Sequence, residues 1–220
     1  TAASWSPKQM RYDAGHFDRA VCELLQVAPA LRDTSAYRHD VVDVARQTMA
    51  NHARLLLPRI KAAYEAKDAA RLHALSTEWL DNMALLDRLL ASDPGFLLGN
   101  WLAPARAAAA DGAEAAQFEY DQRTLITIWG DRGDADRGGL HDYANRELSG
   151  LVSGLYAPRW RRFFESLQQS LATGKPPAAI DWYAMEHAWA VSREAEPTTP
   201  RGEPWQLASE VAQRLGVCTP

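Results

Sequence analysis

The chain has 220 residues, 47% of them hydrophobic and 24% charged, with a formal net charge of −4. That length buries a substantial core as one large domain, or at most two small ones, and the composition is ordinary for a globular protein. The charge balance gives no global attraction to nucleic acid or to an anionic membrane surface, and no apolar run approaches the ~20 residues that cross a bilayer.

The predicted elements are helical nearly throughout. Residues 1–7 carry neither a basic nor an apolar leader pattern and no starting Met, so a piece of a longer polypeptide is expected. Residues 13–28 place Phe17, Val21, Leu24 and Leu25 on one helical face, closed by Pro29. Thr34-Ser35 caps a second helix whose stripe is Tyr37, Val41, Val44, Thr48, His52 and Leu55. Pro58 is expected to kink or break it. Asp68 caps a third, with Leu72, Leu75, Trp79, Met83, Leu86 and Leu90 at three- and four-residue spacing, ended by Asp93-Pro94-Gly95.

A short helix is expected within 96–110, and another from Gly112 to Ile128, where β-branched 125–129 leaves an extended alternative open. Residues 130–139, with four glycines, read as an exposed mobile loop. A helix carrying Tyr143, Leu148, Leu151, Val152 and Leu155 follows, and Pro158 sits at N1 of the next one. After the 174–177 linker come helices near 181–195 and 203–215. The expected fold is all-α: an antiparallel helical bundle of about eight or nine helices with short loops, treated as one domain over 1–220.

The chemistry in the residues is sparse. Cys22 and Cys218 make no disulfide framework, and each reads as a small packing residue rather than a bridge partner. The six histidines lack metal-ligand spacing, and Asp131, Asp134 and Asp136 do not fit a calcium loop, so no metal and no cofactor are expected. Nucleophile and phosphate-loop motifs are absent. Pairs such as Glu78 with Asp81, or Glu119 with Asp142, do not rise above other surface carboxylates. The eight tryptophans are the pointed feature. Most are expected in the core, and an exposed one offers a flat face for a sugar ring.

Six ordered segments carry a family resemblance. They are 37–44 (Tyr-Arg-His-Asp-Val-Val-Asp-Val), 90–102 ending Phe-Leu-Leu-Gly-Asn-Trp-Leu, 125–130 (Leu-Ile-Thr-Ile-Trp-Gly), 140–152 (Leu-His-Asp-Tyr-Ala-Asn-Arg-Glu-Leu-Ser-Gly-Leu-Val), 156–163 (Tyr-Ala-Pro-Arg-Trp-Arg-Arg-Phe) and 200–202. Together they resemble the C-terminal region of glycoside hydrolase family 89, over about residues 11 to 215. The resemblance implies exo-acting, retaining hydrolysis of terminal α-linked N-acetylglucosamine. Retention calls for two glutamates ~5 Å apart on a (β/α)8 barrel. No strand–helix alternation marks a barrel here, so no catalytic residue is assigned and this chain alone is expected to be inactive.

The resemblance implies that Trp129 and Tyr143, with Leu140 beside them, line the sugar pocket. The alternative for this pair is packing, with Trp129 plugging the helical core and Tyr143 capping it. The stretch between Trp129 and Leu140 is longer than the family's turn. Arg159 is implied to be paired within the helical domain. The implied partners are the terminal N-acetylglucosamine of a glycan and the catalytic barrel of the same polypeptide, with no nucleic acid and no membrane. The implied location is secreted or periplasmic for a bacterial protein and lysosomal for animal members. A reading from a different class is a free-standing helical module that binds glycan or protein without hydrolysis.

Overall fold

The computed structural model describes residues 10–137, 142 and 144–218, and these residues form nine α-helices with no β-strand among them. In chain order the helices are α1 (Ala14–Leu25), α2 (Ser35–Glu65), α3 (Ala69–Leu90), α4 (Leu98–Ala107), α5 (Gly112–Leu125), α6 (Arg132–Asp136), α7 (Ala157–Thr173), α8 (Trp182–Ala190) and α9 (Pro204–Leu215). No helix among the described residues is long and apolar enough to cross a membrane. The chain divides into two compact units, one running to Asp93 and resuming at Arg201, the other spanning Pro94–Pro200.

In the first unit α2 packs against α1, α3 and α9. Asp13 starts α1 by accepting the His16 N–H at 3.0 Å, and Asp68 starts α3 by accepting that of Arg71 at 2.9 Å. Each satisfies one orphan donor of a first turn. Thr34 stands at the α2 N-cap, but its hydroxyl donates backwards to the Leu31 carbonyl.

Pro58 does not break α2, which continues to Glu65. The proline removes one N–H, while Leu56, Ile60 and Ala63 are buried around it. Packing of a long helix outweighs one lost hydrogen bond. The buried stripe also differs from the expected one, since Val44 and His52 are only partly buried. Leu55 is 58% exposed and Leu56 4% exposed. The buried positions advance mostly in steps of four (Tyr37, Val41, Ala45, Met49, then Leu56 and Ile60). A stripe extrapolated with more three-residue steps therefore leaves the buried face.

The cysteines correct the sequence-based expectation outright. Cys22 and Cys218 form a disulfide, with Cα atoms 5.2 Å apart and 196 residues between them in sequence. Spacing alone says nothing about a bridge between α1 and the turn after α9, because only the folded unit brings these segments together.

The second unit holds a core of Leu98, Leu102, Ile126, Leu148, Leu151, Leu155, Trp189 and Ala190, with Trp101, Tyr120 and Tyr156 packed against it. Two glycines admit close backbone contact there. A Cβ on Gly99 would lie 2.4 Å from the Pro197 carbonyl oxygen, and one on Gly150 2.6 Å from the Glu196 carboxylate. Leu98 N–H donates to the Ser149 carbonyl and Ser149 N–H to that of Phe96, fixing Ser149 beside the start of α4.

Three local expectations change in this unit. Residues 145–148 are not helical. Pro158 does not separate two helices: Val152–Tyr156 is a π-helical turn running directly into α7. The Ala157 N–H reaches five residues back to Val152, and the wider turn precedes a residue with no N–H to give. Finally, the glycine-rich segment after Trp129 contains α6, capped by Asp131, which accepts the Asp134 N–H at 2.8 Å.

Closing a loop of 196 residues is worth roughly 5 kcal/mol in the chain-entropy account. Cys22→Ser or a reductant should therefore lower the unfolding midpoint of the first unit markedly. Thermal melts with and without reductant check this, and the Cys22→Ser protein should not respond to reductant.

Candidate functional site

Helix α5 delivers Trp129 to the surface. On its last turns Glu119 and Arg123 face inward, and Arg123 is 0% exposed. The Glu119 carboxylate accepts from Arg106 at 2.6 Å and from Arg123 at 2.9 Å, and Arg123 also lies 3.6 Å from Glu196. The Arg123 guanidinium stands 4.6 Å over the Trp189 ring. A buried charge needs such partners, and here one carboxylate serves two guanidinium groups. Burial pushes the Glu119 carboxyl up, but the hydrogen bonds and charges of Arg106 and Arg123 together outweigh it and hold Glu119 below the ordinary range.

After α5 the chain makes a tight turn. Ile126, Thr127 and Ile128 are all buried, and the Thr127 hydroxyl donates to the Arg123 carbonyl at 2.6 Å. Trp129 then enters the left-handed region at φ 61°, its N–H donating to the Thr124 carbonyl at 3.0 Å. A bulky residue in that region costs on the order of 1–3 kcal/mol. The strained backbone aims the indole outward. Among the seven described tryptophans Trp129 alone is exposed, at 40%. Its burial therefore does not match a plug of the helical core.

The segment after the turn is tied down at two places. Asp142 donates its N–H to the Thr127 carbonyl at 2.8 Å and is itself left-handed, at φ 53°. Its carboxylate accepts two hydrogen bonds from Arg159, at 3.1 and 2.8 Å. Arg159 also lies 3.3 Å from Glu186, which is 1% exposed. Further along the loop Arg132 donates twice to Asp181, at 3.0 and 2.8 Å, and covers the Tyr183 ring at 4.8 Å. The other ring neighbour of Tyr183 is His187, stacked at 5.6 Å. The 131–137 segment is thus an anchored helix rather than a free polar loop.

Leu140 and Tyr143, the other expected wall residues, lie outside the described residues. Asp142, the chain neighbour of Tyr143, is the nearest described anchor. Of the carboxylates weighed as a catalytic pair, Glu119 is held by Arg106 and Arg123, while Asp142 is held by Arg159. They belong to separate arginine clusters, and Asp81 pairs with Arg214. No group of three or more histidine, cysteine, aspartate or glutamate side chains among the described residues is placed to hold a metal. What sequence reasoning missed is the partner set of Arg159. A lone Asp and Glu at 142 and 186 give no local signal that one guanidinium gathers both.

The family model for the alpha-N-acetylglucosaminidase (NAGLU) C-terminal domain matches residues 1–214. The chain belongs to this family. Human alpha-N-acetylglucosaminidase is 38% identical over 193 residues, covering 86% of this chain and 25% of that protein. Two structures of a family 89 glycoside hydrolase from Clostridium perfringens superpose on the fold. One is in complex with its substrate GlcNAc-alpha-1,4-galactose (TM-score 0.89, 31% identity, 97% of this chain and 25% of that one). The other is in complex with PUGNAc (TM-score 0.90, 31% identity, 99% and 25%). The chain therefore spans about a quarter of the length of these relatives. As a member of this C-terminal domain family, it has the all-α architecture that its periodicity predicts.

The Glu119 cluster gives this domain a signed pH dependence. A carboxyl whose folded pKa is depressed adds stability that is present above its ordinary value of 4.5 and is lost as pH falls through the folded value. Glu119→Gln should lower the melting temperature at neutral pH by several degrees and flatten its decline below about pH 4.5. Melting curves from neutral to strongly acidic pH check both.

Proposed function

We propose that this chain is the helical C-terminal part of an exo-acting, retaining α-N-acetylglucosaminidase, and that Trp129 forms one wall of its pocket for the terminal α-linked N-acetylglucosamine. The observation that carries the reading is an exposed indole on a strained turn, at the Trp-Gly of the family motif, in a chain matched by the C-terminal domain model over 1–214. Strain is retained where a fixed side-chain position matters.

The physical role follows from the side chain. An indole stacks on the apolar face of a pyranose or on an N-acetyl methyl, and its ring N–H adds one donor. Tyr143 and Leu140 complete this wall. A retaining mechanism needs two carboxyl groups ~5 Å apart, one as nucleophile and one as acid/base. Those belong to a barrel in the same polypeptide, since Glu119 and Asp142 are engaged by arginines here. The clostridial relative, described as bound to its GlcNAc-alpha-1,4-galactose substrate, supports the substrate class. The Cys22–Cys218 disulfide supports an oxidising compartment, which for a bacterial protein is the periplasm or the exterior.

Two outcomes are expected on a chromogenic α-N-acetylglucosaminide. This chain by itself gives no turnover, whereas the protein carrying the upstream region does. In that longer protein Trp129→Ala lowers kcat/KM by well over ~10-fold while unfolding stays cooperative. Turnover by the isolated chain would defeat the division of labour. A Trp129→Ala protein that loses its fold would favour a packing role.

A further inference from the structure

The loop between Trp129 and Asp142 begins and ends on left-handed residues, at φ 61° and 53°. That conformation is costly for the bulky Trp129, whereas an aspartate visits it more readily. One backbone hydrogen bond, Asp142 N–H to the Thr127 carbonyl, joins the two ends at 2.8 Å. Thr127 is buried and fixed from below through its hydroxyl, and the other partner in this clasp is Asp142. What holds Asp142 is Arg159, through two parallel hydrogen bonds. Arg159 is oriented in turn by Glu186 at 3.3 Å, a carboxylate inside the second unit.

A guanidinium with two parallel bonds fixes both the position and the plane of its carboxylate, which an ammonium does not. Only one side of this arrangement is needed for packing. Arg159 already has Glu186 as a buried counter-charge, so charge balance alone does not explain the two-point grip on the residue whose N–H ties the loop end to Thr127. Resting on the reading of Trp129 as a pocket wall, we propose that Arg159 and Asp142 form a positioning pair for that wall: Glu186 aims Arg159, Arg159 clamps Asp142, and Asp142 closes the loop base against Thr127. The pair touches no substrate. It sets where the Trp129 turn stands relative to Asp142, and thereby the fit of the terminal sugar.

The test uses the whole protein, with the chromogenic α-N-acetylglucosaminide and thermal melts side by side. Asp142→Gly is the informative variant. Glycine accepts a φ of 53° without strain and keeps the N–H for Thr127, but it has no carboxylate for Arg159. It should stay folded with a midpoint near wild type and show KM raised about tenfold, since small misplacement of a binding wall is costly. Arg159→Lys keeps the charge and loses the fork, and should raise KM similarly. The double variant should be no worse than either single one, because the two act as one unit. A folded Asp142→Gly protein with unchanged KM, or losses that add in the double variant, would overturn the positioning role. Trp129→Ala separates the two failures. If it impairs turnover while the Asp142 and Arg159 variants do not, the wall stands and the clamp falls. If Trp129→Ala changes nothing, the wall itself is wrong and the clamp has nothing to position.

Discussion

The second unit depends on how one short turn is held. Among the described residues between Arg123 and Asp142, Trp129 and Asp142 are left-handed, and the residues beneath the turn offset that cost. Ile126 and Ile128 are sunk in the core, Thr127 is bonded through both its hydroxyl and its carbonyl, and Asp142 is gripped by Arg159. With those anchors in place a large aromatic side chain is held partly exposed at the surface.

Charge in this unit is spent on architecture. Arg123 and Arg159 each lie beside two carboxylates, and one of each pair, Glu119 and Glu186, is nearly sealed from solvent. Such clusters contribute less net stability than an apolar core of equal volume, yet they penalise any rearrangement that separates a charge from its partner. That is the property required of a surface that must keep one shape. The first unit solves a different problem. Its helices come from two distant stretches of sequence, and a covalent bridge from α1 to the turn after α9 makes their separation entropically unrewarding.

Much of the fold is legible because helices announce themselves locally. Asp13, Asp68 and Pro94 mark ends that the structure keeps, and Tyr37, Val41 and Thr48 of the expected α2 stripe are buried, whereas Val44 is only partly covered. Legibility fails where the deciding partner is remote. Cys22 and Cys218 look unrelated until folding brings them to 5.2 Å. Pro58 and Pro158 read as interruptions, yet packing carries α2 through the first and a π turn absorbs the second. The 131–137 segment reads as loose from its glycines, while its order comes from Asp181 and Tyr183 some fifty residues away. For the site, the Trp-Gly motif marks Trp129, but nothing local in the sequence reveals its left-handed backbone or the carboxylates that Arg159 gathers.

The central claim is that the exposed Trp129 indole meets an N-acetylglucosamine ring. Calorimetric titration of the whole protein with 2-acetamido-1,2-dideoxynojirimycin, the ligand class seen with a clostridial relative, measures that contact without any chemical step. The account predicts tight binding by the wild type and at least roughly tenfold weaker binding once Trp129 is truncated to alanine in a folded protein. Equal affinity in the two proteins would contradict it.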